Sequence, residues 1–147
     1  MKKGILILLV SMLGLTSCAA TKVGDNGYKS KANDGVKNAL TEKWYLTSIN
    51  NAGYQGPRIN MQLTSQQRVN GFSGCNHFFA SVSELDMTRL RFGSVGSTKK
   101  LCVDRNANQL ERTFLNALRG VTHYQKDDRR LVLNGATKLV FMKKRAR

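Results

Sequence analysis

Period-two alternation of apolar and polar residues dominates the chain from Lys43 onward, and one stretch with helical spacing interrupts it. Lys43 to Ile49 reads as a strand with Trp44, Leu46 and Ser48 on one face, followed by turn residues at Asn50-Asn51-Ala52-Gly53. Ile59 to Leu63 alternates as a half-buried antiparallel strand should, and Arg68 to Ser73 reads as its partner. Leu85 to Phe92 is expected to form another strand, with Leu90 and Phe92 on its inward face. The helix is expected to begin at Asn106, whose side chain caps the first turn while Gln109 reaches back. Leu110, Phe114, Leu115 and Leu118 make its apolar stripe, and Gly120 ends it. Val121 to Lys126, Arg129 to Leu133 and Thr137 to Met142 then predict a closing β-meander, with hairpin turns at Asp127-Asp128 and Asn134-Gly135.

A different pattern occupies the N-terminus. Lys2 and Lys3 precede a run from Gly4 to Leu15 that is apolar apart from Ser11, and Leu15-Thr16-Ser17-Cys18 follows at once. The run is shorter than the roughly 20 apolar residues that span a bilayer, so residues 1–17 are expected to be a signal peptide ending in a lipobox. An ordinary signal peptide with an incidental cysteine and an uncleaved anchor are the alternatives. Resemblance to bacterial lipoproteins implies that Cys18 carries the lipid, and that two or three acyl chains make the attachment to the membrane durable. Ala19 stands where an aspartate would signal inner-membrane retention, which favours the periplasmic face of the outer membrane. Residues 18–40 are rich in Gly, Asn, Asp, Ser and Lys and read as a flexible linker spanning roughly 25 Å, with a weak helical signal at Val36 to Leu40. The expected organisation is thus a signal peptide (1–17), a lipidated linker (18–40), one folded domain (41–143) and a basic tail (144–147).

Composition adds a strong bias of charge. Loss of Lys2 and Lys3 lowers the formal net charge only from +15 to +13, so anionic lipid and anionic glycan are the natural electrostatic partners. Export makes nucleic acid an unexpected one. The basic residues are scattered and cluster only at Lys143-Lys144-Arg145 and Arg147. With Cys18 lipidated, Cys75 and Cys102 remain in an oxidising compartment as disulfide candidates. A bond between them would close a loop of about 28 residues, worth roughly 3–4 kcal/mol.

Gly71-Phe72-Ser73-Gly74-Cys75-Asn76-His77-Phe78-Phe79 resembles the G-x-S/G-x-C-N-x-F/Y signature of the META, or HslJ-like, domain family. Trp44-Tyr45-Leu46 is similar to that family's opening W-x-L strand, and Thr98 to Cys102 to its T-x-x-x-C segment. Glu111 with Phe114, Leu115 and Leu118 resembles its helix, and Leu131, Leu133 and Leu139-Val140-Phe141 its closing hairpin. The resemblance implies an α+β fold, mostly antiparallel β, as a partly open barrel or two curved sheets closed by one α-helix. It carries over no catalytic residue. Its matching positions, Trp44, Gly71, Gly74, Cys75, Asn76, Thr98 and Cys102, are expected to be structural: Gly71 and Gly74 for positive φ in a turn or bulge, Asn76 for bonds to the loop backbone.

Sharper chemistry is poorly supported by spacing. Cys75, His77, Cys102 and His123 contain the elements of a zinc site without its paired hooks, and a disulfide would remove any nucleophilic thiolate. Asp127-Asp128, Glu84 and Asp86 read as solvated carboxylates of turns and strand ends. Phe72, Phe78 and Phe92 read as core, with Phe79 or Tyr54 exposed. A non-catalytic, lipid-anchored binding or accessory protein is therefore expected, requiring no cofactor or metal and engaging an envelope protein partner, and the family resemblance implies a link to envelope stress or secretion. By fold-level analogy, lipoprotein pilotins suggest a partner segment held in a barrel-like cleft. The alternative is a periplasmic binder of small ligands or polyanions at a barrel mouth, using Phe78, Phe79, Lys99 and Lys100.

Overall fold

The computed structural model describes residues 40–64 and 67–144. The expected signal peptide, Cys18, the expected linker up to residue 39 and the tail from residue 145 lie outside the described residues. In chain order the elements are β1 (Trp44–Ile49), β2 (Ala52–Gly53), β3 (Ile59–Leu63), β4 (Arg68–Ser73), β5 (His77–Leu85), β6 (Leu90–Ser97), α1 (Arg105–Arg119), β7 (Val121–Lys126), β8 (Arg130–Gly135) and β9 (Leu139–Lys143). Eight strands form one antiparallel sheet in the order β6-β5-β4-β3-β1-β9-β8-β7, and β2 pairs with the end of β1.

The sheet curls until its outer strands meet, as a nearly closed barrel. At one end the turn before β6 reaches β7: Arg89 bridges His123, and Tyr124 N donates to Thr88 O at 2.9 Å. At the other, the Arg119 guanidinium donates to Val95 O at 3.2 Å, spanning from α1 to β6. Register puts the start of β1 beside the end of β9, with Trp44 opposite Lys143, at the end we call the entry end. β6 finishes and β7 begins at the opposite end, so the helix that joins them lies across that opening.

Alternation explains the core. Trp44 and Leu46, Ile59, Met61 and Leu63, Phe78 and Ala80, Leu90 and Phe92, Leu131 and Leu133, and Leu139 and Phe141 all point inward and are buried. The helix adds Phe114, edge-on to Phe78 at 5.3 Å and to Phe141 at 6.4 Å between ring centroids. Each fully buried side chain of this size contributes about 1.5–3 kcal/mol, so the filled interior is the main source of stability.

Four expectations need correction. Leu85 to Phe92 is a hairpin, because Asp86 Oδ1 accepts from Thr88 N (2.9 Å) and Arg89 N (2.7 Å) and reverses the chain between β5 and β6. Its inward Leu90 and Phe92 are buried as expected. The helix cap is Asp104, whose carboxylate accepts from Asn106 N at 2.8 Å, so Asn106 lies inside the first turn. Asn134 and Gly135 stay in β8, paired to His123 and Val121, and the reversal falls in residues 136–138. Phe72 points outward and is half-buried, because the parity of β4 sends Val69 and Ser73 inward instead.

Candidate functional site

The family-like residues converge at the helix end of the barrel. The β4–β5 connection, Gly74-Cys75-Asn76, turns through Gly74 at φ 101°, a conformation in which a side chain would be strained. Ser73 closes this turn twice: its backbone N–H donates to Asn76 O at 2.8 Å and its Oγ donates to the same oxygen at 2.7 Å. Gly71 has no positive φ. Its hydrogen faces inward, where a Cβ would lie 2.0 Å from Asn60 O and 2.5 Å from the Phe78 ring. Close approach is therefore its reason, not turn geometry.

Asn76 is the hub. Its Oδ1 accepts from Lys100 N (2.7 Å) and Thr98 Oγ1 (2.8 Å), and its Nδ2 donates to Glu111 Oε2 at 3.1 Å. The same carboxylate oxygen accepts from Asn76 N at 3.1 Å, while Ser97 Oγ donates to Oε1 at 3.2 Å. Asn76 and Glu111 are both buried, so these bonds meet the desolvation cost of a carboxylate and an amide with partners on three elements. Thr98 extends the network by accepting from His77 N at 3.2 Å.

Cys75 and Cys102 are joined by a disulfide, with Cα atoms 6.1 Å apart. It ties the loop after β6 to the β4–β5 turn beside Glu111, whose carboxylate lies within 4.8 Å of both sulfurs. With both sulfurs in the bond, neither is a thiolate able to act as ligand or nucleophile. His77 and His123 are exposed and do not join this cluster. The loop leaves Lys99 and Lys100 exposed, and beside them Leu101 and Val103 are 98% and 104% exposed.

The proposed aromatic mouth divides. Phe79 is 55% exposed, whereas Phe78 is 1% exposed and packs under the helix, because adjacent strand residues take opposite faces. Phe78 is thus a core residue, and Lys99 and Lys100 do not line the groove beside Phe79. Glu111 and Ser97 are members that motif reading had not given a role. The visible signal was a carboxylate inside the apolar stripe of the helix, between Ala107 and Phe114.

At the entry end, Trp44 is fully buried, with Lys143 Nζ 5.3 Å and Lys126 Nζ 5.9 Å from its ring centroid. Its Nε1 is the one buried side-chain polar atom without a hydrogen-bond partner among the described residues. Lys143 also pairs with Glu42 at 2.5 Å. From β7, the Tyr124 hydroxyl donates to Asp86 O in the β5–β6 turn at 2.9 Å. Burial, with the Asp86 charge adding to it, pushes that phenol up to about 12. Backbone N–H bonds from Thr88 and Arg89 hold the Asp86 carboxyl below its ordinary range, and those from Arg129 and Arg130 do the same for Asp127.

Solved structures with this architecture agree with the geometry. An NMR structure of a protein from Burkholderia xenovorans is 28% identical with a TM-score of 0.59, covering 78% of this chain and 90% of that one. A second NMR structure, 20% identical with a TM-score of 0.55, covers 70% of this chain and 89% of the other. The crystal structure of a DUF4847 family protein from Bacteroides vulgatus is 14% identical with a TM-score of 0.53, covering 77% of this chain and all of that one, a likeness of fold alone. No curated relative matches the chain. The family model of the META domain matches residues 38–146, a span that holds the Asn76–Glu111 hub, the disulfide and the whole barrel, and the chain belongs to the META domain family.

Proposed function

We propose that this protein is a lipid-anchored binding module of the cell envelope that works without catalysis, held through Cys18 at the periplasmic face of the outer membrane. The observation that carries the non-catalytic reading is the helix-end cluster, in which every reactive group is committed to holding the fold. Both sulfurs are bonded to each other, and the Glu111 carboxylate is occupied by Asn76 and Ser97. A partner cleft inside the barrel finds no support, since Trp44, Phe114, Leu118, Leu131, Leu133 and Phe141 fill the interior. Recognition therefore belongs to the outer surface. The lipobox-like run before Cys18 and Ala19 after it support the anchor and its membrane.

Labelling with radioactive palmitate and membrane fractionation test the tether. The unmutated protein should take up label and pellet with outer membranes, and Cys18→Ala should lose both; a Cys18→Ala protein that still pellets with membranes would overturn it. In-cell crosslinking then tests binding. Envelope material captured by the anchored protein and lost in Cys18→Ala supports the module, and no crosslinked species at all counts against it.

A further inference from the structure

Strand register assembles a second feature on the outer face of β3, β4 and β5. Outward residues align in two cross-strand rows, Asn60–Phe72–His77 and Gln62–Asn70–Phe79. Between them Met61, Gly71 and Phe78 belong to the inward parity, so no outward side chain rises from the floor, and a groove of about 430 Å³ runs there. That size lies within the range of small-ligand sites.

Each row joins amides to aromatic rings. Phe72 and His77 meet edge-on with centroids 5.5 Å apart. Phe79 rests on the backbone of Gly96, where a Cβ would come within 2.7 Å of the ring. One ring face is thereby supported while the residue remains 55% exposed. The side-chain amides of Asn60 and Asn70 make no hydrogen bond within the described residues. The Nε2 of Gln62 donates to Thr41 O at 2.7 Å, which leaves its Oε1 as an acceptor.

Charge selects among occupants. The protein carries a formal +15, yet the groove holds no acid and only Lys43. Lower on the same sheet, Arg89 and Arg91 pair with Glu84 at 3.2 and 3.0 Å. A polyanion would find its counter-charges elsewhere on the molecule, and an apolar segment would cover the Asn60 and Asn70 amides without giving either a partner. Rings that present a flat face, beside amides that both donate and accept, match the alternating apolar and hydroxyl faces of a sugar.

We infer that this groove is a saccharide-binding site for an uncharged glycan segment. The rings of Phe79, Phe72 and His77 stack on sugar faces, while Asn60, Gln62 and Asn70 bond hydroxyl or acetamido groups. This deepens the binding-module reading and rests on it for the site's use in the envelope.

NMR titration of the mature chain carrying Cys18→Ser, with N-acetylglucosamine tetramer and separately with maltotetraose, tests the inference. Saturable shifts centred on Asn70, His77 and Phe79 with either probe are expected. Phe79→Ala and Asn70→Ala should each weaken binding by about tenfold, equivalent to ~1.4 kcal/mol, with a dispersed spectrum that reports an intact fold. Lys99→Gln and Lys100→Gln should leave it unchanged, as should added salt. Saturation by neither probe, shifts centred on another face, or equal affinity in the Phe79→Ala variant would overturn the assignment. Because the titration needs no lipid, its failure leaves the tether untouched, and failure of palmitate labelling leaves the groove untouched.

Discussion

At the helix end of the barrel a disulfide, an amide hub and a buried carboxylate hold two loops and the helix together, whereas at the entry end a fully buried tryptophan lies beneath two lysines and an ion pair. The contrast follows from what each end must cover. The helix end is crossed by connections whose backbone N–H and C=O groups have no sheet partner, so Asn76 and Glu111 supply partners for Lys100 N, Asn76 N and the Ser97 and Thr98 hydroxyls. At the entry end the hairpin turns are closed locally, Asp86 and Asp127 each accepting from two backbone N–H groups, and Trp44 is the apolar plug. One end is therefore expected to respond to redox state and the other to packing.

The largest effect should come from the plug. Trp44→Ala is expected to cost about 3–5 kcal/mol in urea unfolding, by loss of a buried ring and the cavity left behind. A cost below that of reducing the disulfide would reverse the contrast. Next, Cys75→Ala or reduction of the unmutated protein should cost about 2–5 kcal/mol. The two perturbations lie at opposite ends, so they should add in the double variant; strong coupling would show that the ends unfold as one cap.

Asn76→Ala should cost about 1–3 kcal/mol, because it strands the Lys100 amide and removes one of the donors to the Glu111 carboxylate. In a Cys75→Ala background that cost should change, since both hold the same loop, and a double-mutant cycle measures the coupling. Smaller still, Lys143→Gln should change stability by about 0–1 kcal/mol, as expected of a partly exposed pair, with the difference vanishing at high salt.

Ionisation gives the finest contrast. Asp86 and Asp127 have carboxyls held below their ordinary range, so the stability they contribute is present above the ordinary value of 3.8 and lost as pH falls through the lower folded value. Asp86→Asn with Asp127→Asn should flatten the acid limb of the unfolding midpoint against pH; an unchanged limb would place the acid sensitivity elsewhere. Tyr124 moves the other way. Its phenol is raised from 10.0 to about 12, so its contribution is present below 10 and fades as pH climbs through that interval. Tyr124→Phe should remove one late-titrating phenol from the alkaline absorbance curve.

Much of the fold was legible because it obeys local rules. Ile59 to Leu63 declares its faces by alternation, and Asn50 and Asn51 take positive φ (48° and 67°) at the turn they were expected to make. Where local rules competed, reading failed. Asp86 read as a solvated carboxylate at the start of a strand, although its carboxylate can cap two backbone N–H groups and reverse the chain. Asn134-Gly135 carried a strong hairpin signal, yet pairing with Val121 and His123 held both residues in the strand. Phe72 and Phe78 are alike in composition and six residues apart, but the Gly74 turn between them resets which parity faces the core.

What the sequence alone determined is therefore the set of choices made by near neighbours: strand faces, the helix after β6, the glycine at a left-handed turn, and the motif that marks the family. Tertiary structure decided what depends on residues brought together from far apart. Asn76 meets Glu111 across 35 positions only because the helix crosses the barrel opening. Asn60, Phe72 and His77 form a row only because three strands pair in one register. Periodicity carries information about a residue's side of its own strand, and none about which strand lies beside it; that choice is made by the closure of the core as a whole.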